Sequence, residues 1–247
     1  MRVTEPLEYG HTYHIYNRGI NGTDLFLCNR DYEHFLELYT QYISPIADTY
    51  AWALLKNHFH ILVRIKDKEE IKSFTTDLSV CETDLSVCEA ADSVETGNRK
   101  ISTLTGLRRC QVGGSSSTLT GSNEHCQVVP VPSRQFSHLF NAYARYFNIR
   151  TERHGGLFET PFRRIRVNTE RYFRQLVFYI HHNPVKHGFA EHILDWGWSS
   201  YLTIISVKPT RLSRETVLGY FDDAANFKTY HQQEHDLRYM ESFFLEI

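Results

Sequence analysis

The chain of 247 residues lacks the features that mark membrane-spanning, secreted and zinc-ribbon proteins. No apolar run approaches the roughly 18 residues of a membrane span, and no leader-like apolar segment opens the sequence. The five cysteines are odd in number and contain no CxxC pair, so neither a disulfide framework nor a zinc ribbon is indicated. We therefore expect a soluble, cytoplasmic protein without a membrane partner.

Large apolar side chains are also scarce in residues 75–132, where the sequence repeats itself. TDLSVCE occurs at 76–82 and again at 83–89, and STLTG followed by CQV occurs twice. The repeats are short and unequal, which excludes a solenoid and predicts a mostly disordered insert. The predicted organisation is thus a first part, 1–74, the insert, a second part, 133–201, and an extension, 202–247, of unknown role.

The net charge of −2 is small, but the basic residues are unevenly distributed. Residues 134–190 contain 10 Lys and Arg against 3 Asp and Glu, a local charge of +7. For phosphate binding, such a local excess matters more than the total. Aromatic residues alternate with the arginines in AYARYFNIR and PFRRIRV, which favours single-stranded nucleic acid because bases stack on rings. A solvated helix face is the alternative interpretation.

Outside the insert, the hydrophobic pattern predicts the order strand, helix, strand, strand, helix, strand, followed by a further helix. Strands are expected at 11–19, on both sides of Lys56-Asn57 and at 161–167, and helices at 31–43, 134–150 and 168–183. Asn29 or Asp31 is expected to cap the first helix, and Pro184 to end the last. This order is typical of the ferredoxin-like, or RRM-like, α+β fold, with an antiparallel sheet, helices on one face and the other face free for a ligand.

A His-x-His pair lies on the strand that contains HFHILVRI. Residues i and i+2 of a strand point to the same face, so His58 and His60 should project together while Phe59 points to the opposite face. Imidazole is a common metal ligand. However, 14 histidines in a chain of this length give about 0.8 such pairs by chance. The pair could be metal ligands or structural histidines.

The last predicted helix contains FYIHHNPVKHG, in which Tyr179 and Asn183 share one face because they are four residues apart. A phenol is a poor nucleophile at its ordinary pKa of about 10, and a neighbouring metal with a polarised phosphate can assist it. Asn183 could add an oxygen ligand to such a metal. Alternatively, Tyr179 is a core aromatic residue and Asn183 a helix cap before Pro184.

Six blocks of the sequence, in order, resemble the REP-associated tyrosine transposases, relatives of the single-tyrosine insertion-sequence transposases of the HUH class. The blocks are YHIYNRG, AWALLKNHFHILVRI, FSHLFNAYARYFN, GGLFETPFRRIRV, YIHHNPVKHGFA and DWGWSSY. The resemblance covers residues 11–201 apart from the insert. It implies that His58 and His60 hold a divalent cation, Mg²⁺ or Mn²⁺, that Asn183 completes the metal site, and that Tyr179 is the nucleophile.

The resemblance also implies the reaction and the partner. Single-stranded or hairpin DNA would be cut by tyrosine attack, which leaves a 5′-phosphotyrosine and a free 3′-OH that can reverse the step on another strand. On the predicted fourth strand, Arg164 and Arg166 should share one face and Arg163 should lie on the other. The candidates for DNA binding are Arg18, Arg163, Arg164, Arg166 and Lys186.

Two other functions remain open at this stage. One is a nucleic-acid-binding module that has this fold without the chemistry. The other is a metal-dependent hydrolase in which one of His181, His182 and His187 joins the His-x-His pair. The sequence leaves the oligomeric state open between monomer and homodimer.

Overall fold

A computed structural model of the chain describes residues 6–71, 74–75 and 127–233. The chain divides into two compact units, Met1–Lys72 with Val129–Ile247, and Ser73–Val128. The strands of the main unit are β1 (Thr12–Arg18), β2 (Ala47–Leu54), β3 (His58–Ile65) and β6 (Arg163–Val167). Its helices are α1 (Asn29–Tyr42), α2 (Pro132–Arg150), α3 (Glu170–Lys186), α4 (Tyr201–Ile205), α5 (Arg214–Gly219) and α6 (Ala224–Gln232), with a 3-10 turn at Ile20–Gly22. In the second unit, β4 (Phe74–Thr75) pairs with β5 (Gln127–Val128).

The four strands of the main unit form one antiparallel sheet in the order β2-β3-β1-β6. The hairpin between β2 and β3 turns at Lys56-Asn57, and the N–H of Leu55 donates to the carbonyl of His58 at 2.8 Å. With α1 between β1 and β2, and α2 between β3 and β6, the order of elements is that of the ferredoxin-like fold. The predicted α+β class is confirmed.

One face of the sheet packs against α1 and α2 and forms the first core. Alternate residues of β3, namely Phe59, Ile61 and Val63, are buried there together with Phe35 of α1 and Tyr143 of α2. The two helices present apolar residues at helical spacing, which is why they lie flat on this face. The other residues of β3, including both histidines, consequently point to the opposite face.

The opposite face is not free along its whole length, contrary to the prediction from the sequence. α3 packs against β2 and β3, and with α4, α5 and α6 it forms a second core around residues such as Leu62, Leu176 and Phe227. α3 covers part of this face, and the described residues after 201, among which Ile204 and Val217 are buried, extend the cover. Part of the extension predicted without a role therefore completes this second core.

Two predicted helix boundaries differ from the structure. Cys28, not Asn29 or Asp31, caps α1, while the Asp31 carboxylate accepts the N–H groups of Leu27 and Cys28 at 2.8 and 3.2 Å. α3 does not end at Pro184. Pro184 lies two residues before the end of the helix, where its missing N–H removes one i→i−4 hydrogen bond, and its own carbonyl accepts the N–H of Phe189 at 2.8 Å.

No helix in the described part of the chain is long and apolar enough to cross a membrane. Most of the predicted insert, 75–132, lies outside the described residues. At its end, α2 begins at Pro132, and Val129 packs against the first core.

We predict that residues 76–126 can be replaced by a short Gly/Ser linker. Thr75 pairs directly with Gln127, so a hairpin-length linker can join these residues, and the replaced sequence contains few large apolar groups. Thermal unfolding of the shortened protein should occur within a few degrees of the full chain. A shortened chain that is insoluble, or that has lost its cooperative transition, would contradict the prediction.

Candidate active site

The two histidines of the His-x-His pair and two residues of α3 lie together on the second face of the sheet. The rings of His58 and His60 have centroids 5.3 Å apart, and the ring of His60 lies 5.4 Å from that of Tyr179. Asn183, one helical turn after Tyr179, places its Oδ1 atom 2.9 Å from Nε2 of His58. The fold thus brings the four residues together although more than a hundred positions separate the two pairs.

The apolar packing of α3 fixes this arrangement. Leu176, Val177 and Ile180 are buried in the second core, so the helix cannot rotate without exposing them. Asn183 is fully buried as well and lies inside the helix, since His187 is the C-cap residue. The interpretation of Asn183 as a cap before Pro184 is therefore wrong.

The hydrogen bonds of His58 leave one of its acceptor neighbours unsatisfied. Nδ1 lies 2.7 Å from Oδ1 of Asn57, and Nε2 lies 2.9 Å from Oδ1 of Asn183. Both amide oxygens accept only, while a neutral imidazole has a single N–H to donate. Burial lowers the pKa of His58 to about 4, so the ring is neutral near pH 7. The ring can donate to only one of the two amide oxygens, so the lone pair of its unprotonated nitrogen faces the other amide oxygen.

A divalent cation fits these residues. When Nδ1 of His58 donates to Asn57, the Nε2 lone pair of His58 and the Oδ1 atom of Asn183 face each other with no proton between them, and a cation would accept both. Nδ2 of Asn183, which is buried without a hydrogen-bond partner, is a donor and binds no cation. Adjacent ligands of an octahedral cation with bonds of about 2.1 Å lie about 3.0 Å apart, close to the 2.9 Å between His58 Nε2 and Asn183 Oδ1. Within the described residues, no three His, Cys, Asp or Glu side chains form a metal-binding group. The candidate ligand set is therefore two imidazoles and an amide oxygen.

A third histidine, His14 of β1, lies next to the pair, and the sequence pattern does not single it out. Its Nε2 atom is 2.9 Å from Nδ1 of His60. Burial lowers the pKa of His14 to about 3, and burial followed by the charge of His14 lowers the pKa of His60 well below its ordinary value. The contact of His14 with His60 depends on the pairing of β1 with β3, which sets His14 and His60 on the same face of the sheet.

The candidate basic residues fall on both faces of the sheet. Arg163 lies opposite Tyr16 in the pairing of β1 with β6, and Tyr16 lies opposite His60, so Arg163 is on the face of the histidines. Arg18 lies opposite His58 and is 60% exposed, with its Nε atom donating to Glu159 at 2.6 Å. These two guanidinium groups border the site.

Arg164 and Arg166 lie on the opposite face, as their spacing predicts relative to Arg163. The guanidinium of Arg164 is 4.0 Å from the ring centroid of Phe162 and donates to Ser133 at 3.1 Å, while Arg166 donates to Glu8 at 3.1 Å. Lys186 lies elsewhere, with Nζ 5.1 Å from the ring centroid of Tyr179. Of the basic candidates, Arg18, Arg163 and Lys186 therefore lie near the histidine pair.

The three histidines considered for a hydrolase take different positions. His181 is buried in the second core, with Nδ1 2.9 Å from His231 Nε2 and Nε2 2.8 Å from Ser200 Oγ. His182 stacks on Phe178. His187 approaches the pair, with its ring 4.8 Å from that of His58. His181 and His182 are therefore excluded as the third metal ligand of the hypothetical hydrolase.

The buried histidines predict acid-sensitive stability. Burial lowers the pKa values of four histidines, His14, His58, His60 and His181. Below about pH 6.5 the unfolded chain therefore binds more protons at these histidines than the folded chain does. Stability should be complete above about pH 7 and fall by about 1 kcal/mol per histidine on acidification to about pH 5.5. Urea unfolding at the two pH values measures the loss. Equal stability at both pH values would contradict the prediction.

Comparison with known proteins gives one structural similarity. No protein-family model matches the chain, and no curated protein is significantly similar to it. A solved REP-associated tyrosine transposase bound to a REP hairpin is similar at a TM-score of 0.49 and 12% sequence identity, over 85% of this chain and 88% of that one. A similarity this low carries no argument about function, which has to be argued from the residues of the site.

Proposed function

We propose that the protein is a metal-dependent transposase and endonuclease that cuts and rejoins single-stranded DNA at hairpin sequences through a 5′-phosphotyrosine intermediate. The observation that carries the proposal is the convergence of His58, His60, Asn183 and Tyr179 on one face of the sheet. These are the four residues that the resemblance to REP-associated tyrosine transposases assigns to the metal site and the nucleophile.

In the proposed reaction, Tyr179 supplies the attacking oxygen. Its Oη atom forms a bond to a DNA phosphorus while the bond from that phosphorus to the 3′ oxygen breaks. The phenol loses its proton, the departing 3′ oxygen gains one, and the 5′ phosphate remains on the tyrosine. Attack by a 3′-OH of another strand reverses the step and joins the two strands.

His58, His60 and Asn183 would hold Mg²⁺ or Mn²⁺, both of which accept nitrogen and oxygen ligands. When bound, the cation polarises the scissile phosphate and neutralises the charge that develops on it. The chain's own contribution is to keep both imidazoles neutral and to hold the Asn183 oxygen next to His58. Rotation of that amide would let Nδ2 donate to His58 and would withdraw the oxygen ligand.

The positive charge beside Tyr179 supports the same chemistry. Lys186 lies over the tyrosine ring with its Nζ atom 5.1 Å from the centroid. An ammonium group beside the tyrosine attracts the DNA phosphate that Tyr179 attacks. Lys186 is thus proposed to act in DNA binding at the site itself.

A nucleic-acid-binding module without chemistry would need the basic and aromatic residues but not this constellation. Buried imidazoles and a buried amide with an unpartnered Nδ2 atom cost stability, because each polar group loses its hydration. Their grouping beside a tyrosine is what a catalytic site requires and what a binding surface does not. We therefore favour the enzyme.

We predict that Tyr179→Phe abolishes the covalent protein–DNA adduct and leaves metal and DNA binding intact, because it removes only the nucleophilic oxygen. The substrate is labelled hairpin DNA from the flanks of the gene that encodes the chain, incubated with Mn²⁺ and resolved by denaturing electrophoresis. The full-length chain should form an adduct, and Tyr179→Phe should form none.

Tyr172→Phe is the matched control, since Tyr172 lies two turns earlier on the same helix. Its adduct should equal that of the unmodified chain. An adduct that persists in Tyr179→Phe and disappears in Tyr172→Phe would reassign the nucleophile. Cleavage without any adduct would indicate a hydrolase, and DNA binding without cleavage would indicate a binding module.

We predict that Arg163→Gln weakens DNA binding whereas Arg166→Gln does not, because the two lie on opposite faces of the same strand. Loss of one phosphate contact should weaken binding to all sequences and reduce the slope of log affinity against log salt by about 1. Fluorescence anisotropy over a range of salt concentrations measures both quantities. If Arg166→Gln has the larger effect, DNA binds at the β6 edge on the side of the sheet that α1 and α2 cover.

A further inference from the structure

We propose that His14 is a positioning residue that determines which nitrogen of His60 carries the proton, and thereby whether His60 can bind a cation. The inference rests on the proposed function, since it concerns the metal site described above. It assigns a role to a buried histidine that lies outside the ligand set.

The geometry restricts the nitrogen with which His60 can bind a metal. Nδ1 of His60 lies 2.9 Å from Nε2 of His14, so this atom is engaged in a hydrogen bond and only Nε2 remains for a ligand. A nitrogen that binds a cation must offer a lone pair, so Nε2 must be unprotonated. In the neutral ring, the proton then resides on Nδ1, which donates it to Nε2 of His14.

The tautomer of His14 sets the direction of this bond, whereas the partner of His58 can only accept. The amide oxygen of Asn57 only accepts, so its contact with Nδ1 of His58 is compatible with a single direction. An imidazole nitrogen donates or accepts according to its tautomer. If Nε2 of His14 carried a proton and donated it, His60 would keep its own proton on Nε2 and could not bind the cation.

The surroundings of His14 hold the two rings in place. His14 is fully buried and stacks on Tyr16 and His60, with centroids 4.7 and 5.1 Å apart. The pairing of β1 with β3 sets Tyr16 directly opposite His60, which places His14 two residues away on the same face. Strand pairing and stacking fix the position of His14. It therefore acts on His60 only through the direction of their hydrogen bond, which sets the nitrogen of His60 that carries the proton.

The test compares two replacements of His14. His14→Phe keeps an aromatic ring for stacking and removes the acceptor, whereas His14→Gln keeps an oxygen that can accept the N–H of His60. Loss of a hydrogen-bond partner behind a metal ligand typically costs about 10- to 100-fold in metal affinity. We therefore expect His14→Phe to bind Mn²⁺ that much more weakly, and His14→Gln to stay within about threefold of the unmodified chain.

A spectroscopic measurement reports the proton independently of activity and affinity. In the full chain with ¹⁵N-labelled histidine and Mg²⁺, long-range ¹H–¹⁵N spectra should show His60 protonated at Nδ1. A scalar coupling across the hydrogen bond should connect this nitrogen with Nε2 of His14. In His14→Phe the coupling should disappear and the proton should redistribute toward Nε2 of His60.

The outcomes separate the inference from the proposed function. If His14→Phe folds, binds Mn²⁺ as tightly as the unmodified chain and keeps the His60 tautomer, the inference is overturned and the metal site stands. If the unmodified chain does not bind Mn²⁺, or if His60→Ala binds it equally well, the inference and the proposed metal site are both overturned. Should His14→Phe fail to fold, the unmodified chain decides: the coupling with Mg²⁺ bound supports the inference, and its absence overturns it.

Discussion

The alternation of side chains along β3 is the constraint on which the rest of the structure depends. Phe59, Ile61 and Val63 are buried against α1 and α2, and a shift of one residue in strand register would move all three to the other face. Burial of each large apolar side chain stabilises the fold by about 1.5–3 kcal/mol. The first core thus fixes His58 and His60 on the second face although neither residue contributes to that core.

The second core performs the corresponding task for α3. Its apolar residues, among them Leu176 and Ile180, hold the helix against β2 and β3, so that Tyr179 and Asn183 meet the strand. Hydrophobic packing on both sides of the sheet offsets the cost of burying several polar groups in the site between strand and helix. The described residues after 201 belong to this support, because without their apolar side chains one side of α3 would be exposed.

The sequence predicts what depends on local periodicity and leaves open what depends on packing between distant segments. Period-two alternation is sufficient to place His58 and His60 together, and helical spacing to place Tyr179 and Asn183 together. Local periodicity does not predict the part of the cover that follows α3, because short helices such as Arg214–Gly219 have weak patterns. His14 was missed for a related reason: its partner is set by strand pairing, which a single sequence does not display.

The long insert interrupts the sequence after the end of β3 that does not contain the histidines. The main unit ends its first segment at Lys72, beyond the C-terminal end of β3, and resumes at Val129. The histidines lie at the N-terminal end of β3, and the seven steps from His58 to Ile65 span about 23 Å at about 3.3 Å per step. The cost of closing a loop grows slowly with its length. Chain can therefore be added after β3 without altering the strand register that sets the two imidazoles opposite α3.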